Sequence, residues 1–177
     1  MFSEVIEVGP VNAEEIKRYL NELNEELCSV DVKGEICLYG GAVMALVFNA
    51  RPDTKDVDAV FEPAAIIRAA AARVAEANDL PADWLNDGVK GFLVQHKQRI
   101  LFDYSNLKVF VPEPDYLLAM KAIAARHNTQ DAADVKVLVD LLQMKSAAEV
   151  LEIVEKYYPR NQIKPATQFF IEELFGE

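Results

Sequence analysis

A strand-like segment that carries two carboxylates is the strongest constraint on this chain. Residues 55–61 alternate well enough to form a β-strand, which turns Asp56 and Asp58 to one side and Val57 to the other. The apolar neighbours indicate an internal strand, and carboxylates on an internal strand need a partner. Mg²⁺ is a suitable partner, because it prefers oxygen ligands and commonly uses one or two carboxylates together with substrate phosphates. The alternative is a solvated edge strand, which is the commoner meaning of a lone Asp-x-Asp pattern.

A pair of glycines precedes this segment. Residues 35–39 have the pattern of a short buried strand that ends at Gly40 and Gly41, and residues 42–48 suit a short helix. Paired glycines let the backbone turn sharply and let a ligand approach the peptide N–H groups. A helix N-terminus directly after them favours a phosphate. The pattern predicts a phosphate-binding turn, with a purely structural turn as the alternative.

The rest of the pattern predicts an α+β chain. A capping box at Asn12 and Glu15 predicts a helix up to residue 28. A helix over residues 63–78 and a loop over 80–88 follow the acidic strand. Strands are then predicted over 91–96, 99–104 and 107–111, and helices over 114–126, 131–143, 147–157 and 166–174. We therefore expect residues 1–112 to form a mixed β-sheet flanked by helices, and residues 113–177 to form a helical part packed on that core.

Charge and cysteine content narrow the function classes. The chain has 177 residues and a formal net charge of −11, which argues against a general nucleic-acid binder. Cys28 and Cys37 are too few for a disulfide framework, and we expect two buried thiols. Neither a signal peptide nor an apolar run of membrane-spanning length is visible, so the expected location is cytoplasmic, away from any membrane.

The order of these features resembles a known superfamily. A Gly-Gly turn, a short helix and a strand with Asp-x-Asp, here separated by fourteen residues, are similar to the nucleotidyltransferase superfamily that includes DNA polymerase beta. The resemblance implies a nucleotidyltransferase-like fold. It also implies that Gly40 and Gly41 hold a nucleoside triphosphate, while Asp56 and Asp58 bind Mg²⁺ or Mn²⁺ as catalytic metal ligands.

A narrower resemblance involves more of the chain. Gly40-Gly41-Ala42-Val43, Arg51 and the segment 54–58 resemble the AbiEii-type nucleotidyltransferases of type IV toxin–antitoxin systems. The resemblance implies that Arg51 and Thr54 contribute to nucleotide binding. Arg51 has the alternative of capping the turn through Asp53.

Downstream motifs fit the same resemblance. A helix pair carrying Lys121 and then Asp131 and Asp134 is similar to the downstream helices of that family. Lys121 would rest on an apolar helix face unless its ammonium reached a site, and a phosphate is one such partner. The alternatives are a snorkelling side chain or a structural ion pair with Asp131 or Asp134.

Two further residues have open roles. Asp103, flanked by Phe102 and Tyr104, is the best match to a third metal-side carboxylate, which would act as general base. The alternative is that Asp103 only ends a hairpin strand. Trp84 is suited either to stacking on a base or to packing a loop.

These expectations combine into a function with named alternatives. The chain is predicted to move a nucleoside monophosphate from an NTP to an acceptor hydroxyl, with Mg²⁺ as cofactor. The resemblance implies an RNA end, a protein side chain or a small molecule as acceptor, and an antitoxin as partner. One alternative is a catalytically degenerate nucleotide-binding or regulatory module. Another is a homo-oligomer formed through the C-terminal helix, whose Phe169, Phe170, Leu174 and Phe175 equally suit packing on their own core.

Overall fold

The computed structural model describes residues 9–125 and 129–177. These residues form an α+β arrangement of seven α-helices, a mixed five-stranded sheet and a two-stranded sheet. The chain divides into two compact units, Met1–Gly91 with Ile100–Val111, and Phe92–Arg99 with Pro112–Glu177. Among the described residues, no helix combines the length and apolar character needed to cross a membrane.

A local sequence signal determines where the first helix begins. The capping box at Asn12 and Glu15 forms in both directions, with N···O distances of 3.2 and 2.9 Å, and it starts the first helix where predicted. The elements are β1 (Val11–Asn12), α1 (Ala13–Ser29), β2 (Gly34–Tyr39), α2 (Gly40–Leu46), β3 (Asp53–Thr54), β4 (Val57–Glu62), α3 (Ala64–Ala77), β5 (Leu85–Asn86), β6 (Gln98–Asp103) and β7 (Leu107–Pro112).

The five-stranded sheet has the order β5-β4-β2-β7-β6. Strand β2 lies at its centre, antiparallel to β4 and parallel to β7, while β5 runs parallel to β4. A central strand is covered on both faces, which explains the nearly continuous burial of β2. In β4, burial alternates as predicted, with Val57, Ala59 and Phe61 in the core and Asp58 partly exposed.

Trp84 belongs to the core of the first unit. Its ring is 3% exposed, lies edge-on to Tyr19 at 5.6 Å between centroids, and its Nε1–H donates to the Ala71 carbonyl at 2.9 Å. A base cannot stack on an indole that is covered in this way. The loop-packing alternative is therefore the correct one.

In its described residues, the second unit contains four α-helices: α4 (Pro114–Ala124), α5 (Gln130–Leu141), α6 (Ala147–Tyr157) and α7 (Pro165–Leu174). Their bounds agree with the predicted ones within two residues, although Arg126, the last residue of the first predicted helix, lies outside the described residues. Phe170 of α7 is buried, whereas Phe169 is 68% exposed, so the apolar end of the chain only partly packs on its own core.

The predicted strand over residues 91–96 is wrong. Gly88–Phe92 is a 3₁₀ turn and the residues after it are irregular. The physical reason is a set of contacts with α4: the Val94 N–H donates to the buried Tyr116 hydroxyl at 3.1 Å, and the His96 ring stacks on the Tyr116 ring at 3.9 Å. A side chain, rather than a neighbouring strand, thus takes up the backbone donor of Val94.

Candidate functional site

The glycine turn and the Asp58 carboxylate lie against each other. The antiparallel register of β2 and β4 pairs Tyr39 with Asp58, and Gly40 follows directly. Gly40 has a φ of 63°, which favours glycine, and a Cβ added to it would stand 3.0 Å from Asp58 Oδ2. Helix α2 begins at Gly40 itself, so both glycines belong to its first turn and do not precede it as predicted.

Gly41 leaves space for two polar side chains. A Cβ at Gly41 would overlap the Arg51 guanidinium and would stand 2.5 Å from Thr54 Oγ1. Thr54 is buried and its hydroxyl donates to the backbone carbonyl of Asp56 at 3.1 Å. The structure thus brings Arg51 and Thr54, both singled out from the sequence, to the glycine turn.

Asp56 is held by a residue that the sequence analysis missed. It lies immediately before β4, and its Oδ2 accepts a hydrogen bond from Asn86 Nδ2 at 3.2 Å. Asn86 is on β5, directly opposite Asp58, and its Oδ1 accepts the Gly88 N–H at 3.2 Å. Because Oδ1 is engaged by this donor, the amide group is oriented with Nδ2 towards Asp56.

Asp103 lies away from Gly40, Asp56 and Asp58. It ends β6, next to the turn that leads into β7, and Leu107 on the far side of that turn pairs with Gly34 at the start of β2. Gly40 directly follows the other end of β2, and it therefore lies about 20 Å from Gly34 at a rise of roughly 3.3 Å per residue. The assignment of Asp103 as third carboxylate and general base is therefore wrong, because the hairpin carries it to the opposite end of the sheet.

The carboxylates of Asp56 and Asp58 supply part of the oxygen ligands that a hard cation needs. Among the described residues, no group of three or more His, Cys, Asp and Glu side chains is arranged to hold a metal ion. Asp56 and Asp58 alone supply two carboxylates, which suits Mg²⁺ if substrate phosphates and water complete its coordination.

The cysteines add no ligand to this site. Burial raises the pKa of Cys37 to about 11, an effect that a hydrogen bond with Tyr39 partly offsets, so its thiol stays neutral near pH 7. Cys28 is exposed, contrary to the prediction, and its Sγ donates to Asn106 Oδ1 at 3.1 Å.

Lys121 is engaged by two carboxylates within the second unit. Its ammonium lies 2.8 Å from Asp131 Oδ1 and 2.9 Å from Asp134 Oδ2. Lys121 is 8% exposed and Asp134 only 1%, and Gln130 Nε2 donates to Asp134 Oδ1 at 3.2 Å. This is the ion-pair arrangement named above as the alternative to phosphate binding.

The candidate site is therefore a cluster in the first unit, and we refer to it below as the carboxylate cluster: Gly40, Gly41, Arg51, Thr54, Asp56, Asp58 and Asn86. Comparison of the chain with protein-family models, curated proteins and solved structures finds no match. The interpretation of the cluster depends on the geometry of its own residues.

Proposed function

We propose that the first unit has the nucleotidyltransferase fold and that the chain transfers a nucleoside monophosphate from an NTP to an acceptor hydroxyl. One observation supports this most strongly: two motifs separated by fourteen residues in the sequence meet in space, with Gly40 against Asp58. A triphosphate-binding turn and a metal-binding pair must adjoin, because the metal contacts the phosphates that the turn holds.

Arg51 is the phosphate-binding side chain in this proposal. Its guanidinium lies at Gly41, in the space that a Cβ there would occupy. A guanidinium offers paired N–H donors that match two phosphate oxygens. Thr54 has a positioning role instead, because its hydroxyl is already bonded to the backbone of Asp56.

Asp56 and Asp58 hold Mg²⁺ or Mn²⁺ in this proposal, and Asn86 orients Asp56. The bound ion would neutralise charge on the α-phosphate and on the departing pyrophosphate. The acceptor oxygen attacks the α-phosphorus, the bond from that phosphorus to pyrophosphate breaks, and the hydroxyl proton passes to water. Positioning and electrostatics carry most of such a transfer, so no covalent intermediate with the protein is required.

The net charge of the chain bears on the class of acceptor. A net charge of −11 disfavours a long nucleic-acid footprint, so an RNA end, a protein side chain or a small molecule suits the chain better than a duplex. A toxin–antitoxin role with an antitoxin partner is part of the proposal only through the motif resemblance.

A second candidate is a nucleotide-binding or regulatory module without transferase activity. The distance of Asp103 from the carboxylate cluster favours it, since that aspartate was the best match to a general base. Incubation with NTPs labelled at the α-phosphate, together with total RNA or with the protein alone, separates the two candidates. Mg²⁺-dependent incorporation of label supports transfer, whereas tight binding without incorporation supports the module.

Gly41→Ala is expected to lower nucleotide affinity by roughly tenfold or more, because the new Cβ displaces Arg51 and one lost charge-assisted contact is worth about 1.5–3 kcal/mol. Calorimetric titration with each NTP measures the effect. Gly91→Ala is the matched control, since a Cβ there meets nothing within 4 Å. Equal affinities of the two variants would show that the phosphates do not bind at this turn.

A further inference from the structure

Strand β6 is an edge strand with an apolar centre. In the described part of the chain, β7 is its one neighbour in the sheet. Ile100, at the middle of β6, is 50% exposed, and Leu101 and Phe102 after it are only partly buried. The outward backbone groups of this six-residue edge strand have no partner within the sheet. Such an edge can therefore pair with another strand.

The hairpin determines which backbone groups of β6 point outward. A short turn joins β6 to β7, so the two strands are antiparallel, and the Tyr104 N–H donates to the Leu107 carbonyl at 3.0 Å. At the other end of the pair the Glu113 N–H donates to the Lys97 carbonyl at 3.3 Å, and hydrogen-bonding direction alternates along the strand from this bond. The backbone N–H and C=O groups of Gln98, Ile100 and Phe102 therefore point away from β7.

We propose that two copies of the chain pair antiparallel through β6, about a twofold axis at Leu101. In this register Leu101 lies opposite the partner's Leu101, and Arg99 lies opposite the partner's Asp103. Ile100, whose backbone groups point outward, then lies opposite the partner's Phe102, and each such pair exchanges two N–H···O bonds. The dimer is closed and isologous, because each copy presents the same edge.

Side-chain chemistry selects a second copy over a foreign strand. Arg99 and Asp103 are equally spaced on either side of Leu101 and have opposite charges, so the edge complements itself. On the other face, Ile100 lies opposite the partner's Phe102, and the pairing covers the exposed part of Ile100. Shifting the register by two residues in either direction separates Arg99 from the partner's Asp103.

Sedimentation equilibrium over a range of protein concentrations, with the full chain, tests this proposal. The wild type is expected to dimerise. Arg99→Asp and Asp103→Arg each place like charges opposite one another at two symmetric positions, which should weaken the dimer by roughly tenfold or more. The double variant carrying both substitutions restores opposite charges and is expected to dimerise again.

Ile100→Pro provides a second, independent variant. Proline removes an N–H that points away from β7, so the fold keeps its hairpin bond while the dimer loses a central one. Circular dichroism checks that each variant is folded. A monomeric wild type, single charge variants that dimerise like the wild type, or a double variant that stays monomeric would each overturn the proposed pairing.

Discussion

Lys121→Met is expected to lower the free energy of unfolding by about 3–5 kcal/mol, the largest stability effect we predict. The reason is Asp134, which is 1% exposed and whose carboxylate pairs with the Lys121 ammonium at 2.9 Å. Removing the lysine leaves an uncompensated charge in the interior, whose desolvation is no longer offset. Urea denaturation without any nucleotide measures the loss, so that a role in ligand binding cannot contribute to it.

Two controls separate burial from charge in this experiment. Lys136→Met removes an exposed lysine of the same helix pair and should change the unfolding free energy by less than about 0.5 kcal/mol. Asp131→Asn should cost about 1 kcal/mol or less, because the Asp131 side chain is 36% exposed and its ion pair is partly screened. A Lys121→Met variant as stable as the wild type would contradict a structural role for this ion pair.

Asn86→Ala is expected to weaken Mg²⁺-dependent nucleotide binding by about 10–100-fold, the usual effect of removing a group that orients a metal ligand. The amide of Asn86 donates to Asp56 at 3.2 Å and is itself fixed by the Gly88 N–H. Without it Asp56 loses its orienting hydrogen bond. Calorimetric titration of the nucleotide at constant Mg²⁺ concentration measures the change.

The matched control is Asn21→Ala, which alters an exposed asparagine of α1 outside the carboxylate cluster. It should leave nucleotide affinity unchanged. If Asn86→Ala also binds as the wild type does, then Asp56 either does not contact the metal or does not need Asn86 to do so. Binding without Mg²⁺ provides the reference, because Asn86 is proposed to act on the metal ligand only.

The parts of the fold that depend on neighbours in sequence were predictable. The capping box at Asn12 and the alternation of β4 both operate within a few residues, so their side-chain patterns indicate the local structure directly. The meeting of Gly40 with Asp58 was expected only from the order of motifs. Its cause in the structure is the antiparallel register of β2 and β4.

The errors concern residues whose position depends on distant partners. Asp103 has the apolar neighbours of a strand residue, but only the parallel pairing of β7 with β2 determines the end of the sheet at which it lies. Asn86 sits in a strand of two residues, too short to show any periodicity. Val94 has strand propensity, yet the Tyr116 hydroxyl binds its N–H.

The central claim is that the carboxylate cluster binds a nucleoside triphosphate through Mg²⁺. Its most direct test is calorimetric titration with ATP, CTP, GTP and UTP, with and without Mg²⁺, on the wild type and on an Asp56→Ala, Asp58→Ala double variant. We predict that at least one nucleotide binds the wild type in a Mg²⁺-dependent manner and that the double variant, although folded, loses this binding. Failure of the folded wild type to bind any of the four nucleotides, or equal binding by the double variant, would contradict the claim.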